Sequence, residues 1–122
     1  FSIASPSLTA VVARRLADAG IPVRTGTSWT TDAPFRETET LITSHREDGV
    51  VSVEMEAAAL LALGAAIGKP VVCLAHITNA MATRGEDFEK GGDAGLEETL
   101  EVCELTLETA VEYAAIRKSG GD

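Results

Sequence analysis

The spacing of apolar residues along the chain predicts an alternation of helices and short strands. In some stretches apolar side chains recur every three or four residues, as on one face of a helix, and in others they alternate or run continuously, as in strands. The helical pattern predicts helices over 7–19, 37–47, 58–67 and from 93 onward. The strand pattern predicts strands over 22–29, 50–53 and 71–77, and the remaining aperiodic stretches predict loops over 30–36 and 80–92.

Residues 50–77 predict a βαβ unit. The helix over 58–67 is apolar on all sides, which is typical of a buried helix. It follows a short β-branched strand and leads, after Gly68 and Pro70, into a continuous apolar run typical of a strand covered on both faces. We therefore expect an α/β fold in which a mixed sheet lies between helices, in three layers.

The first and last predicted helices carry the clearest end signals. Ser7 is expected to cap the first helix, and Gly20 follows its end. Asp93 is expected to cap the last helix, which is amphipathic. The apolar stripe of that last helix consists of Leu96, Leu100, Cys103, Leu107, Val111 and Ala114.

Composition and charge narrow the classes of protein. The 122 residues fit one domain, and 45% hydrophobic with 24% charged residues is typical of a soluble globular protein. The chain has 10 Lys and Arg against 19 Asp and Glu, and this net charge of −9 repels phosphate backbones and anionic lipid. Because there is no signal peptide and no apolar run of about 18 residues, we expect a cytoplasmic protein that binds neither nucleic acid nor membrane.

The two cysteines do not indicate a metal site. Cys73 and Cys103 lack metal-ligand spacing, and we expect two reduced, buried thiols, with a disulfide or a catalytic thiol as the alternative. The sequence also lacks a dinucleotide-binding glycine motif, a phosphate-binding Walker loop and a zinc-protease motif. We therefore expect neither a metal nor an organic cofactor.

Two glutamates directly precede the predicted apolar helix. Glu54, Met55 and Glu56 follow a short strand directly, and an uncompensated buried carboxylate is costly, so both acids need partners. An ionised carboxylate is a pure acceptor that can take both O–H groups of a ribose 2′,3′-diol, and a helix N-terminus favours its anionic form. The alternative is that both are ordinary first-turn acids paired with Arg or Lys elsewhere.

The predicted loop around residues 29–38 combines aromatic and charged side chains. Trp29 and Phe35 offer flat apolar faces on which a heterocycle can lie. The Arg36 guanidinium offers several N–H donors for the carbonyl oxygens of that heterocycle. The alternative is a structural loop held by a pair between Asp32 and Arg36.

A third group of candidates lies at the end of the predicted strand over 71–77. Ligands of open α/β sheets bind beyond the carboxyl ends of strands, where Thr78 and Asn79 stand. His76 is interpreted as a hydrogen-bonded core histidine, with a catalytic base as the alternative, and His45 as a solvated helix residue.

Taken together, these segments resemble the C-terminal half of the nucleoside phosphorylase family. That family includes purine nucleoside phosphorylases of the bacterial type, uridine phosphorylases and methylthioadenosine nucleosidases. The segment 53–59 resembles its Glu-Met-Glu ribose motif, and the segment 29–38 resembles its base-side loop. The resemblance covers nearly the whole chain.

The resemblance implies a role for each candidate residue. Glu56 would hold the ribose hydroxyls, Met55 would pack against the sugar, and Glu54 would help to shape the pocket for base and ribose. Arg36 falls where uridine phosphorylases carry an arginine that faces the pyrimidine carbonyl, and Trp29 or Phe35 would line the base. The implied reaction is reversible phosphorolysis of a nucleoside to free base and ribose 1-phosphate, with inorganic phosphate as co-substrate and no cofactor.

The chain departs from the family in two respects. Adenine-handling members and nucleosidases usually carry Ser-Asp where this chain has Thr78 and Asn79, and the aspartate protonates the purine. An amide cannot supply that proton but can hydrogen-bond a leaving base, which favours a uridine-like or 6-oxopurine substrate.

Family members are also about twice as long, and their phosphate loop and arginines lie in the N-terminal half. Because the chain starts at Phe1, we expect it to be the C-terminal part of one such domain.

Three functional hypotheses follow from the sequence. The first is a phosphorylase that acts on nucleoside and phosphate in a homo-oligomer, since family members assemble as hexamers or dimers. The second is a nucleosidase or a non-catalytic nucleoside-binding subunit, and the third is a purely structural domain.

Overall fold

The computed structural model describes residues 1–77 and 96–119, which form a mixed α/β fold. The helices are α1 (Pro6–Asp18), α2 (Glu39–Glu47), α3 (Ala57–Ala66) and α4 (Leu96–Ser119). The strands are β1 (Thr27–Thr30) and β2 (Val50–Glu54), and Pro34–Arg36 forms a short 3₁₀ turn inside the predicted loop. The predicted helices are therefore confirmed within a few residues. The predicted start of the last helix at Asp93 and the predicted loop over 80–92 lie outside the described residues.

The two strands form a small parallel sheet. Thr30 pairs with Glu54 and Trp29 with Val53, with a register irregularity between Thr27 and Ser28. Parallel neighbours need a crossover, which here is the connection through α2, so the βαβ unit in the structure is β1–α2–β2. The predicted strand over 22–29 is shorter than expected, since its first half contains Pro22, which cannot donate a ladder hydrogen bond.

The predicted strand over 71–77 is wrong, and so is the βαβ unit that was built on it. This segment runs without regular secondary structure after α3, and its Val71 carbonyl accepts the Ser5 N–H at 2.9 Å. Within the described ranges no strand lies beside it, and an apolar run forms a sheet only when a neighbouring strand supplies hydrogen bonds. The described sheet therefore has two strands, and the predicted three-layer arrangement is not seen in residues 1–77 and 96–119.

The core forms where α1 packs against α4. Three buried side chains of α1 occupy the centre of this core: Leu8, Val12 and Leu16. The residues packed around them are Ile21, Val72, Val102, Leu105 and Tyr113.

Ser5, and not Ser7, caps α1. The Ser5 hydroxyl accepts the Leu8 N–H at 3.4 Å, and Pro6 occupies the first turn, where its missing N–H costs nothing. Ser7 instead forms a 2.6 Å hydrogen bond with the Tyr113 hydroxyl of α4. The prediction of Ser7 as the cap was therefore wrong, because the helix begins at Pro6, one residue before Ser7.

The apolar stripe predicted for α4 lies on its exposed side. Leu100, Leu107 and Val111 are exposed, whereas Thr109 is only 3% exposed and lies on the same helix face as Leu105 and Tyr113, which pack against α1. Thr109 satisfies its hydroxyl by donating to the Leu105 carbonyl at 2.6 Å, so a polar residue is tolerated in the packed face. The helix therefore uses a mixed face against α1 and leaves its most apolar face uncovered.

Helix α3 is also less buried than its composition predicts. Ala57 and Gly64 are buried, but Leu60, Leu63 and Ile67 are about half exposed. Gly64 lies so close to the Val71 side chain that an added Cβ would overlap it, so glycine is what lets α3 approach the following segment. The prediction of a fully buried helix is wrong for the described chain.

Candidate functional site

Glu54 holds the turn that joins β2 to α3. One of its carboxylate oxygens, Oε2, accepts the backbone N–H groups of Glu56 at 2.7 Å and Ala57 at 2.5 Å. These are among the first N–H groups of the helix, which have no partner within it. Glu56 stands at the N-cap position but makes no capping bond with its side chain. Glu54 therefore satisfies the donors at the start of α3 from outside the helix.

Thr30 connects this turn to β1. The parallel register places Thr30 opposite Glu54, and its hydroxyl donates to Glu54 Oε1 in a short hydrogen bond. The same hydroxyl accepts the Ala58 N–H at 3.1 Å, and Ser28 donates to Glu54 Oε1 at 3.4 Å. Both oxygens of Glu54 are thus used inside the protein.

These contacts determine the ionisation of Glu54. Desolvation by burial alone would raise the pKa of the Glu54 carboxyl, but hydrogen bonds from Thr30, the Ala57 and Glu56 N–H groups and Ser28 together lower that pKa below its ordinary value of 4.5. The carboxylate is therefore charged at neutral pH, as a hydrogen-bond acceptor at a helix N-terminus should be.

Glu56 differs from Glu54 in being exposed. Its Oε2 accepts the Met55 N–H at 3.2 Å, and its side chain otherwise faces the surface together with Met55, which is about half exposed. A carboxylate has about four acceptor positions, so Glu56 keeps capacity for the hydroxyl groups of a ligand. The turn therefore assigns a structural task to the first glutamate and leaves the second available for binding.

Thr30 also lines a pocket of about 440 Å³. Its lining comes from the end of β1, the following loop and α2, and consists of Trp29, Thr30, Thr31, Asp32, Arg36, Thr38, Leu41 and His45. The loop is anchored by buried Thr31, whose hydroxyl donates to the Ala33 carbonyl at 3.1 Å and whose N–H donates to the Glu54 carbonyl at 2.9 Å.

Arg36 and Asp32 form an ion pair at the pocket. Arg36 Nε lies 3.0 Å from Asp32 Oδ1, and both side chains are largely exposed, so the pair adds little to stability. A guanidinium has five N–H donors, and this contact uses the Nε side of the group. Its terminal nitrogens can still donate to a ligand while Asp32 fixes the orientation of the side chain.

His45 lies against Trp29 inside the same pocket. The two ring centroids are 4.3 Å apart with an angle of 36° between the ring planes. His45 is half-buried, so its interpretation as a solvated helix residue was wrong. The sequence did contain a signal, because Thr38, Leu41 and His45 share one face of α2 at helical spacing.

The structure brings some of the candidate residues together and separates others. Trp29 and Arg36 line the pocket, and Thr30 joins that pocket to the turn carrying Glu54 and Glu56. Phe35 does not line the pocket; its side chain is exposed at the surface. Thr78 and Asn79 lie outside the described residues.

The remaining histidine and both cysteines differ from expectation. His76 is exposed and not in the core, and its Nδ1 lies 2.8 Å from the Thr99 hydroxyl. Cys73 and Cys103 are free thiols as expected, but both are exposed. Desolvation and the nearby charge of Glu54 raise the pKa of the Cys73 thiol, which therefore stays protonated at neutral pH and is a poor nucleophile.

The described residues hold neither a metal-binding cluster nor a membrane-spanning helix. Residues 1–77 and 96–119 contain no group of three or more His, Cys, Asp and Glu side chains placed to hold a metal ion. Across the same part of the chain, no helix combines the length and the apolar character needed to cross a membrane.

Comparison with known proteins gives a family and no individual relative. The family model of the phosphorylase superfamily matches residues 1–115. No curated protein and no solved structure matches the chain. The family match spans both the pocket and the Glu54–Glu56 turn, and it supports nucleoside phosphorylase-type activity in general.

Proposed function

Because this chain belongs to the phosphorylase superfamily, we propose that it catalyses the reversible phosphorolysis of a nucleoside with a uridine-like or 6-oxopurine base. Phosphate attacks C1′, the C1′–N bond breaks, and the bonding electron pair leaves with the base. The products are the free base and ribose 1-phosphate. The observation that carries the proposal is the exposed Glu56 carboxylate on a turn fixed by Glu54 and Thr30, next to a pocket with Arg36.

Glu56 is proposed to bind the sugar. Its carboxylate accepts the 2′ and 3′ hydroxyl protons of ribose, and charge-assisted hydrogen bonds of this kind are stronger than neutral ones. Met55, beside it on the same turn, packs against the sugar ring. Because Glu54 and Thr30 lock the backbone of the turn, the carboxylate is held in place before the substrate arrives, which reduces the cost of orientation.

Arg36 and Asn79 are proposed to act on the base. The terminal nitrogens of Arg36 donate to a carbonyl oxygen of the ring, where negative charge grows as the C1′–N bond breaks. The Asn79 amide, with Thr78 beside it, hydrogen-bonds the departing base. An amide donates a hydrogen bond but transfers no proton, so the reaction suits bases that leave as stabilised anions.

Phosphate dependence tests this function. Full-length protein incubated with uridine or inosine should release free base only when phosphate is present, and an equal amount of ribose 1-phosphate should form. Chromatography of the base and an enzymatic assay of the sugar phosphate measure both products. Base release at the same rate without phosphate would show a nucleosidase, and calorimetric binding of nucleoside without turnover would show a binding subunit; either result would contradict the proposal.

We also propose that the protein works as a homo-oligomer. Large apolar side chains are exposed on two helices, namely Leu60 and Leu63 on α3, with Ile67 directly after it, and Leu100, Leu107, Val111 and Ile116 on α4. Apolar surface of this kind marks sites that other protein surfaces cover.

Sedimentation velocity tests the assembly. The full-length protein should sediment as an oligomer, and Leu107→Glu should shift it toward smaller species, because a charge is costly in an apolar contact. Glu108→Gln, one residue along the same helix and in a weak exposed pair with Arg15, serves as a control that should leave the mass unchanged. A monomeric wild-type protein would contradict this proposal.

A further inference from the structure

The tilted contact between His45 and Trp29 changes which group a planar ligand meets in the pocket. The imidazole lies 4.3 Å from the indole, centroid to centroid, and this is the distance at which two aromatic rings are in contact. A base cannot stack on the part of the indole that His45 already covers. The sequence predicts that Trp29 lines the base. Because His45 lines the same pocket and covers part of the indole, His45 must be considered as a second residue that a base would contact.

His45 is held in this position from two sides. It is the seventh residue of α2, a helix whose start is fixed by the Thr38 hydroxyl, which accepts the Leu41 N–H at 3.4 Å. The Trp29 indole, at the end of β1, supports its ring from the other side. A half-buried ring with two such supports loses little further freedom when a ligand binds.

The two charged residues of the pocket are paired with each other. Asp32 and Arg36 are the charged residues that line it, and they form the 3.0 Å ion pair described above. Arg36 is a donor only, whereas a neutral imidazole has one nitrogen that donates and one that accepts. The pocket therefore combines a fixed donor with a group that can also accept a hydrogen bond.

We infer that His45 is a specificity-determining residue that reads the bound base together with Arg36. Arg36 donates a hydrogen bond to a ring carbonyl, and an imidazole nitrogen of His45 accepts a hydrogen bond from the adjacent ring N–H. The substrate class is then a nucleoside whose base carries a carbonyl beside an N–H, as in uracil and 6-oxopurines. This inference rests on the proposed function and deepens it, and Trp29 is a positioning residue that holds the imidazole.

Methylation of the base provides the test. Isothermal calorimetry on the full-length protein, without phosphate, compares uridine with 3-methyluridine, which lacks the ring N–H. Wild-type protein should bind the methylated nucleoside about tenfold more weakly, the effect of one lost hydrogen bond. His45→Phe keeps an aromatic ring against Trp29 but has no acceptor, so its affinities for the two nucleosides should agree within about twofold. His76→Phe, an exposed histidine outside the pocket, should behave like wild type.

The outcomes separate the inference from the function. If wild type and His45→Phe lose affinity equally on methylation, His45 does not read the base and the inference is wrong, while phosphorolysis stands. If wild type binds neither nucleoside and releases no base, both proposals are wrong.

Discussion

Replacing Glu56 by glutamine is expected to lower kcat/KM for phosphorolysis by about 100-fold, with little change in stability. The amide keeps the size of the side chain but loses the charge and one acceptor oxygen, and each charged hydrogen bond contributes about 1.5–3 kcal/mol. Two bonds to a ribose diol, each at the low end of that range, give about 3 kcal/mol, or roughly a 100-fold change in rate. Steady-state kinetics with uridine and inosine measure the loss.

The structure provides a matched control for this variant. Glu39, at the start of α2, is also an exposed first-turn glutamate but does not line the pocket. Glu39→Gln should keep kcat/KM within about twofold of wild type. A 2′,3′-dideoxynucleoside removes the hydroxyl groups instead of the carboxylate, so Glu56→Gln and wild type should process it at similar rates. If Glu56→Gln still slows the reaction of that substrate, the carboxylate acts on something other than the diol.

Replacing Glu54 by glutamine is expected to destabilise the protein by about 1–3 kcal/mol. The change weakens the hydrogen bonds from the Glu56 and Ala57 N–H groups and removes a negative charge from the start of α3. Denaturant unfolding followed by circular dichroism measures the change. Glu56→Gln is the control two residues away, and because Glu56 is exposed it should change the unfolding free energy by less than about 0.5 kcal/mol.

Acid should remove the contribution of Glu54. The hydrogen bonds hold the pKa of this carboxyl below its ordinary value of 4.5 in the folded state. A lowered folded pKa stabilises the protein above the ordinary pKa, and the stabilisation is lost as pH falls through the folded pKa. The stability difference between wild type and Glu54→Gln should therefore be full at pH 7 and shrink below about pH 4.5. A difference that does not change with pH would mean that the charge of Glu54 is not involved.

Thr30 allows the same network to be tested from the other strand. Thr30→Val keeps the side-chain shape but removes the hydroxyl that donates to Glu54 and accepts from Ala58. A double-mutant cycle with Glu54→Gln should give a coupling energy of about 0.5–3 kcal/mol, because the two residues share one hydrogen-bond network. Additive effects would show that Thr30 and Glu54 stabilise the turn independently.

Features that depend on residues close together in the chain could be predicted from the sequence. Helices α1, α2 and α3 and strand β2 fall close to their predicted ranges, because apolar spacing, a proline and capping hydroxyls act within a few residues. The two glutamates were also recognised as unusual from their place between a strand and an apolar helix. That argument uses only neighbours in the chain.

The site was predicted less completely because its contacts are distant in sequence. The sequence could not show that Glu54 holds the turn at the start of α3, because this structural role depends on the register that places Thr30 opposite it. Likewise, His45 lies on a polar helix, and nothing nearby in the chain shows that Trp29 meets it. The apolar run over 71–77 failed as a strand for the same reason, since a strand is defined by its neighbour.

The sequence by itself determined, to within a few residues, where α1, α2 and α3 lie and which residue types stand at the β2–α3 turn, because hydrophobic periodicity is a short-range property. Tertiary structure alone decided which face of α4 packs on α1, which glutamate is held by the protein, and which ring covers Trp29. Those outcomes depend on which surfaces meet, and a hydrogen bond or a buried contact exists only when a distant segment supplies its partner.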